Sequence, residues 1–306
     1  AEQNRDGALM GINSQYQIQW FPGHMAKTRR LMQENLKLID IVIELRDARI
    51  PYSSKNPEIE KLIGDKPRLI LLNKASLADP AVSRAWLAVF AERGERCLLI
   101  DCVTGQGLRD IYPTVCDLLA DKLQRWADKG MNKKIRAMIV GIPNVGKSSF
   151  INRIAGSKKA KVENRPGVTL NKQWVSTDIG LELLDMPGVL WPKFEEKRVG
   201  ENLALTGAIK DKIMDTEELA MILCTRLRTL APAAFAARYK LTDEDGYIDM
   251  DAYDLFELIG KKRGFLMAGG VVNHERTADM LLGEFRSATI GQVSLEAPKS
   301  YDTRTR

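Results

Sequence analysis

The stretch GIPNVGKS, Gly141–Ser148, constrains this chain more than any other. It fits G-x-x-x-x-G-K-[ST], with the aliphatic run IRAMIVGIP leading in and the helical pattern KSSFINRIA leading out. Glycines let successive backbone N–H groups turn inward around phosphate oxygens, and the following helix N-terminus adds its partial positive charge. In that role Pro143, Asn144, Val145, Gly146, Lys147, Ser148 and Ser149 line the phosphates. Lys147 meets the β/γ-phosphates and the Ser148 hydroxyl takes a place on Mg²⁺. The bland alternative is a Gly-rich turn that holds Gly-Lys-Ser by chance. A strand before it and a helix after it argue against that.

Two further pieces follow at suitable distances. LLDMPG supplies Asp185-x-x-Gly188 at the end of an aliphatic strand, with Asp185 expected on Mg²⁺ through water and the Gly188 N–H on the γ-phosphate. NRPGVT ends in Thr169, placed to complete the Mg²⁺ shell as a switch residue that senses the γ-phosphate. A lone Thr in a Pro-Gly loop is usually only a turn, so Thr169 rests on its position. Together the three pieces predict a P-loop nucleotide hydrolase.

The rest of the first 200 residues suits such a fold. Ile39–Ala48, Arg68–Lys74, Arg96–Cys102 and Ile135–Pro143 are continuous aliphatic runs, as strands covered on both faces require. Helical patterns over Met25–Leu38, Ala81–Arg93, Leu108–Lys129 and Lys147–Ala155 alternate with them, and a strand pair is expected at Lys172–Asp178 and Leu181–Gly188. Repeated β-then-α units predict an α/β fold with a mainly parallel sheet. After about Gly200 the pattern turns helical without strands. The expected division is an arm over 1–17, a nucleotide domain over 18–199, and a smaller all-α domain with a short tail over 200–306.

The motifs stand in an unusual order. LILLNKAS ends in Asn73-Lys74, the opening of the Asn-Lys-x-Asp signature that reads guanine, some seventy residues before the phosphate loop. DCVTGQG, Asp101–Gly107, lies where a second base-contacting loop would stand, with Cys102 and Val103 as its candidate contacts. Base-reading motifs first, phosphate motifs second, is the order of a circularly permuted guanine-nucleotide domain. In that order the Asp185-x-x-Gly188 strand runs straight into whatever follows, so a C-terminal domain can be coupled to the nucleotide.

Charge and composition bound the partners. Net charge is +9 over residues 1–200 and −3 over 201–306. The basic clusters at Lys129–Arg136, Gly156–Arg165 and Gly260–Gly264 read as solvated faces or as phosphate contacts, and the last stands out in an acidic half. The chain holds no apolar run of about 18 residues that would span a membrane. Its first seventeen residues lack the apolar core of a secretion signal. Four cysteines without a C-x-x-C pair suggest a reducing cytoplasm and no metal cluster.

The motif order, with WFPGHMAK, DARIP, GIPNVGKS, RPGVT, DMPGVLWPK and KKRGFLMAGG, closely resembles the ribosome-biogenesis GTPase A (RbgA, or YlqF) family from about Ile18 to Leu295. The resemblance implies a cytoplasmic GTPase that binds GTP/GDP and assists late assembly of the large ribosomal subunit precursor; a monomer is expected. It implies a helical domain that contacts rRNA, and hydrolysis stimulated by the ribosomal particle. It also makes His24 of FPGHM a catalytic histidine, where the residues alone suggest a cap or lining for a turn after Pro22-Gly23. Asn144 resembles the asparagine that helps bind K⁺ in cation-dependent GTPases; otherwise it serves the loop's own hydrogen bonds.

Two residues depart from the wider GTPase pattern. Val189 follows Gly188 where many small GTPases carry the glutamine that orients water, so another group or a cation must act there. Ser76 stands where the guanine-reading aspartate belongs, and Asp79 lies too far along to replace it. A hydroxyl cannot match a carboxylate's charge-assisted acceptance from guanine N1–H and N2–H₂, a loss of roughly 1–3 kcal/mol. The rival readings are a ribosome-bound scaffold with relaxed nucleotide specificity and a signalling GTPase. The latter lacks a lipidation signal.

Overall fold

The computed structural model describes residues 22–156, 174–191, 194, 196–209 and 215–298. Among these, six strands form one sheet in the order β3-β2-β1-β4-β6-β5. The strands are β1 (Ile41–Asp47), β2 (Arg68–Asn73), β3 (Arg96–Leu99), β4 (Ile135–Gly141), β5 (Trp174–Ser176) and β6 (Leu181–Asp185). All neighbours pair in parallel except β5, which runs antiparallel to β6. The phosphate-loop strand β4 therefore lies mid-sheet, with β1, β2 and β3 on one side, the last two leading to the candidate base-reading segments, and the Asp185 strand on the other.

Side-chain parity divides the core. Val42, Met138, Val140 and Leu184 pack on one face under α1 (Pro22–Leu36) and α2 (Pro57–Ile63), with Met32, Ile59 and Ile63. Ile70 and Leu72 meet Trp86 and Phe90 of α3 (Pro80–Glu92). The alternate residues Ile41, Ile43, Leu45, Ala137, Ile139 and Leu183 face Ile111 and Val115 of α4 (Ile111–Leu118) and Phe150 and Ile151 of α6 (Lys147–Ala155). Full burial of Phe150 alone contributes about 1.5–3 kcal/mol. β1 is buried along its whole length, including Glu44 and Arg46, which neutralise each other by a two-pronged pair at 2.9 Å.

Several elements differ from the sequence expectation. The helix expected over Leu108–Lys129 is two, α4 and α5 (Ala120–Asp128), broken at Leu119, whose backbone leaves helical geometry while its side chain stays buried. α2 was not expected, although Asn56 caps it and Pro57 opens it. α1 begins at Pro22, so Pro22 and Gly23 start a helix rather than a turn before His24.

Beyond the sheet come α7 (Lys197–Leu205), α8 (Thr216–Leu230), α9 (Pro232–Tyr239), α10 (Ala252–Lys262) and α11 (His274–Arg286). Asp215, Asp251 and Asn273 cap α8, α10 and α11. Leu219, Leu223 and Leu227 of α8 join Phe256, Leu281 and Phe285 in an apolar cluster continuous with that of the sheet. The segment after α11 then returns to the nucleotide half. Leu295 N–H donates to Arg49 O at 3.0 Å, Val293 N–H to Leu77 O at 3.3 Å, and the Trp86 indole to Glu296 O at 3.0 Å. Glu296 is fully buried, and its carboxylate accepts from the Tyr52 and Ser53 N–H groups, the Ser53 hydroxyl and Asn202 Nδ2.

Candidate nucleotide site

The phosphate loop leaves β4 through Gly141, whose φ is +152° and where a Cβ would lie 2.6 Å from Leu45 O. Asn144 is left-handed, with φ +56°, and Gly146 caps α6 with φ +101°. A Cβ at Gly146 would stand 2.4 Å from Asn73 Nδ2, so glycine is required there on two counts. Ser148 and Ser149 lie exposed in the first turn of α6. Lys147 folds back along the loop and donates to Gly141 O at 3.2 Å and Ile142 O at 3.0 Å. Burial pushes its pKa down to about 8, against the pull of Asp185.

Asp185 ends β6 opposite Ile139. Burial raises its carboxyl pKa, and the Lys147 ammonium partly opposes that rise. Its Oδ1 is buried with no hydrogen-bond partner among the described residues. At Gly188 a Cβ would meet Lys147 Nζ at 2.5 Å and Pro143 Cα at 3.0 Å, so the end of the Asp-x-x-Gly segment lies against the phosphate loop. Val189 is buried and its carbonyl accepts from Asn56 Nδ2 at 2.9 Å. Its side chain belongs to packing.

On the other flank, Asn73 ties three segments together. Its Nδ2 donates to Val145 O at 2.9 Å, and its Oδ1 accepts from Cys102 N–H at 3.2 Å. The base-reading strand, the phosphate loop and the Asp101–Gly107 loop are thereby joined through one amide. Lys74 is left-handed at φ +65° and sets its ammonium 3.0 Å from Asp47 Oδ2. Burial works to raise the Asp47 pKa, but Arg49 and Lys74 hold the carboxyl far below the usual range. Val103 projects into solvent, 85% exposed, while Cys102 is buried.

Ser76 donates its hydroxyl to Asp101 Oδ2 at 2.6 Å, and its N–H to the same oxygen at 3.0 Å. Asp101 Oδ1 accepts from the N–H groups of Val103 at 2.8 Å and Thr104 at 2.9 Å. Asp79 is committed elsewhere, as the cap of α3. His24 lies in the first turn of α1, and its side chain, like Thr169 and the Lys158–Lys161 cluster, falls outside the described residues. Lys261, Lys262 and Arg263 each pair with an acid, Glu257, Asp245 and Glu284. Two residues that the sequence left unmarked, Gly207 and Gln292, also reach the site: Gly207 O accepts from Asn144 Nδ2 at 2.8 Å, and Gln292 Nε2 donates to Ser76 O at 3.0 Å.

Known proteins match this arrangement. The ribosome biogenesis GTPase A of Bacillus pumilus is 49% identical over 284 residues, 92% of this chain and 99% of that protein. The Priestia megaterium protein of the same name is 50% identical over 93% of this chain and 98% of its own. This chain belongs to the ribosome biogenesis GTPase A family. A family model described as "50S ribosome-binding GTPase" matches residues 136–247, starting in β4. The base-reading segments of this family member lie upstream of that match, as the permuted order requires. Solved structures of YlqF agree in fold: a GDP-bound one has a TM-score of 0.62 at 26% identity, covering 88% of this chain and all of the other. A GNP-bound YlqF from T. maritima scores 0.61 at 26% identity, covering 89% and 99%.

As a GTPase of this family the chain binds GTP and GDP, and its residues fit Mg²⁺. A buried carboxylate oxygen without a donor, Asp185 Oδ1, would be completed by a cation or its water ligands, and the exposed Ser148 hydroxyl follows Lys147 in the first turn of α6. Bound Mg²⁺ would neutralise charge on the β- and γ-phosphates. Lys147 would add a cation to the same phosphates and would there regain the stabilisation that burial denies it. Orientation of the attacking water does not fall to Val189, which is apolar and buried. No helix among the described residues is long and apolar enough to cross a membrane.

Proposed function

We propose that this protein is a cytoplasmic, monomeric assembly factor for the large ribosomal subunit. It binds the precursor in a nucleotide-dependent way and leaves after GTP hydrolysis. The relatives' names supply the ribosome, and one observation carries the coupling: the phosphate loop is bonded directly to the helical region, Asn144 to Gly207. Gly207 is in turn fixed by its neighbours, since Arg286 of α11 donates to Leu205 O at 3.0 Å and Ala204 O at 2.9 Å. A change at the phosphates can therefore reach α11 through two links.

In this reading residues 18–199 are the nucleotide domain and 200–306 the helical domain, a boundary that falls inside α7, and Lys261, Lys262 and Arg263 exchange their acidic partners for rRNA phosphates. Thr169 and Asp185 sense the γ-phosphate with Mg²⁺. Asn144 Nδ2 donates to Gly207 O, and Asn144 Oδ1 is the group that would hold K⁺. A potassium ion held there would supply the positive charge that an arginine finger supplies elsewhere. His24, at the start of α1, swings to the attacking water once the ribosome docks. The test is sedimentation with 50S particles in GDP and in a non-hydrolysable GTP analogue, with GTPase rates measured in KCl and NaCl. Binding favoured by the GTP analogue and hydrolysis accelerated by particles are expected; equal binding in both nucleotides overturns the coupling.

A further inference from the structure

The corner that should read guanine lacks its aspartate, yet it is not without a carboxylate. Asp101, 1% exposed, lies directly behind Ser76. Its oxygens are fully used, by the Ser76 hydroxyl and N–H on Oδ2 and by the Val103 and Thr104 N–H groups on Oδ1. Asp101 therefore has no lone pair left for a base. What it does fix is the direction of the Ser76 proton, which points at Asp101 across 2.6 Å. The hydroxyl oxygen is then left with lone pairs only, made more negative by the carboxylate that holds its proton.

We propose that Ser76 and Asp101 together replace the missing aspartate, Asp101 acting through Ser76 to make the hydroxyl a fixed acceptor for the N1–H and N2–H₂ edge of guanine. This rests on the guanine-nucleotide reading and names its specificity determinant. Adenine offers an N1 lone pair at that edge. To satisfy it, Ser76 would have to turn its proton away from a buried carboxylate, and the adenine nucleotide is rejected on that ground. Asp101 is a positioning residue, and Ser76 is the one that touches the base. Gln292 Nε2 donates to the Ser76 carbonyl at 3.0 Å, a further tether on this turn.

The pair also reverses the obvious repair. Ser76→Asp alone sets a second carboxylate against a buried one, and like charges at that distance cannot both stay ionised. Ser76→Asp with Asp101→Asn removes the conflict. Asn Oδ1 still accepts from Val103 and Thr104 and Asn Nδ2 donates to the new Asp, while the residue-76 N–H loses the Oδ2 acceptor it has in the wild type.

Calorimetric binding of GDP, IDP and ADP to the full-length protein in Mg²⁺ and K⁺ tests this. IDP lacks only the 2-amino group. Ser76→Ala is expected to lose about tenfold in GDP affinity and clearly less in IDP affinity. Asp101→Asn should narrow the GDP-over-ADP ratio, because it frees the Ser76 proton. Ser76→Asp should bind GDP no better than wild type, and the double swap should bind it better than either single variant. If GDP binds wild type but Ser76→Ala weakens GDP and IDP equally, or if Ser76→Asp alone tightens GDP, the relay is wrong while the GTPase reading stands. Wild type that binds no guanine nucleotide sinks both.

Discussion

The side-chain amide of Asn144 donates to the backbone carbonyl of Gly207 across 2.8 Å, joining the phosphate loop to the turn that follows α7. Asn144 is left-handed, a backbone that glycine adopts without strain. Asn144→Gly therefore removes the amide and leaves the loop path intact. The lost bond is worth about 0.5–1.5 kcal/mol. If Oδ1 also faces a potassium ion, the rate advantage of KCl over NaCl should collapse towards unity in the variant. Comparing the two salts at saturating GTP checks it. A variant with an undiminished potassium advantage removes Asn144 from the cation site.

Gly146→Ala should abolish nucleotide binding while leaving the protein folded. The added Cβ falls 2.4 Å from Asn73 Nδ2, at a φ of +101° that alanine resists. Asn73 would have to give up Val145 O, and with it the joint between phosphate loop and base loop. A cost of about 1–3 kcal/mol at a strained site is tolerable for a chain of this size. Unchanged far-UV circular dichroism with no calorimetric GDP signal is the expected pair of results.

The strand–loop–helix at β4 and α6 was legible because every residue that defines it is contiguous. The parallel sheet followed from unbroken aliphatic runs such as that of β2. α2 was legible in principle, since Asn56-Pro57-Glu58 is a helix-start signal, but the run it opens is too short to show periodicity. What no local pattern carries is the closure of the site. Asn73 reaches Val145, Ser76 reaches Asp101 and Gln292, and Asn144 reaches Gly207. Each bond joins segments that meet only through the fold. The vacancy left by aspartate at position 76 was readable from sequence, whereas the carboxylate behind it was not.

Glu296→Gln should destabilise the whole chain without touching the site. The carboxylate accepts from donors on Tyr52, Ser53 and Asn202, and a glutamine presents an NH₂ to some of them. Leaving a buried donor unpaired costs about 1–3 kcal/mol. Because this clamp ties the end of the chain to the segment after β1, the loss should appear as one cooperative transition at lower denaturant. Urea unfolding with an unchanged slope and a reduced midpoint is expected. GDP affinity measured well below the transition should stay near that of the wild type.

GDP affinity should fall as pH rises through 8. Burial depresses the Lys147 pKa to about 8 in the unliganded protein, whereas phosphate oxygens beside the ammonium favour its charged form. Between pH 7 and 9 the free protein sheds this proton and the complex keeps it, so binding takes up a proton. The affinity then drops by about tenfold across those two units. Stability of the unliganded protein moves the other way. Its folded state binds fewer protons at Lys147 than the unfolded chain between pH 8 and 10.5, the ordinary value, so this group's contribution rises through that window. Calorimetry in two buffers of different ionisation enthalpy counts the protons. Uptake near half a proton at pH 8, falling towards zero by pH 6.5, is the expected signature, and proton release at pH 8 would contradict the assignment.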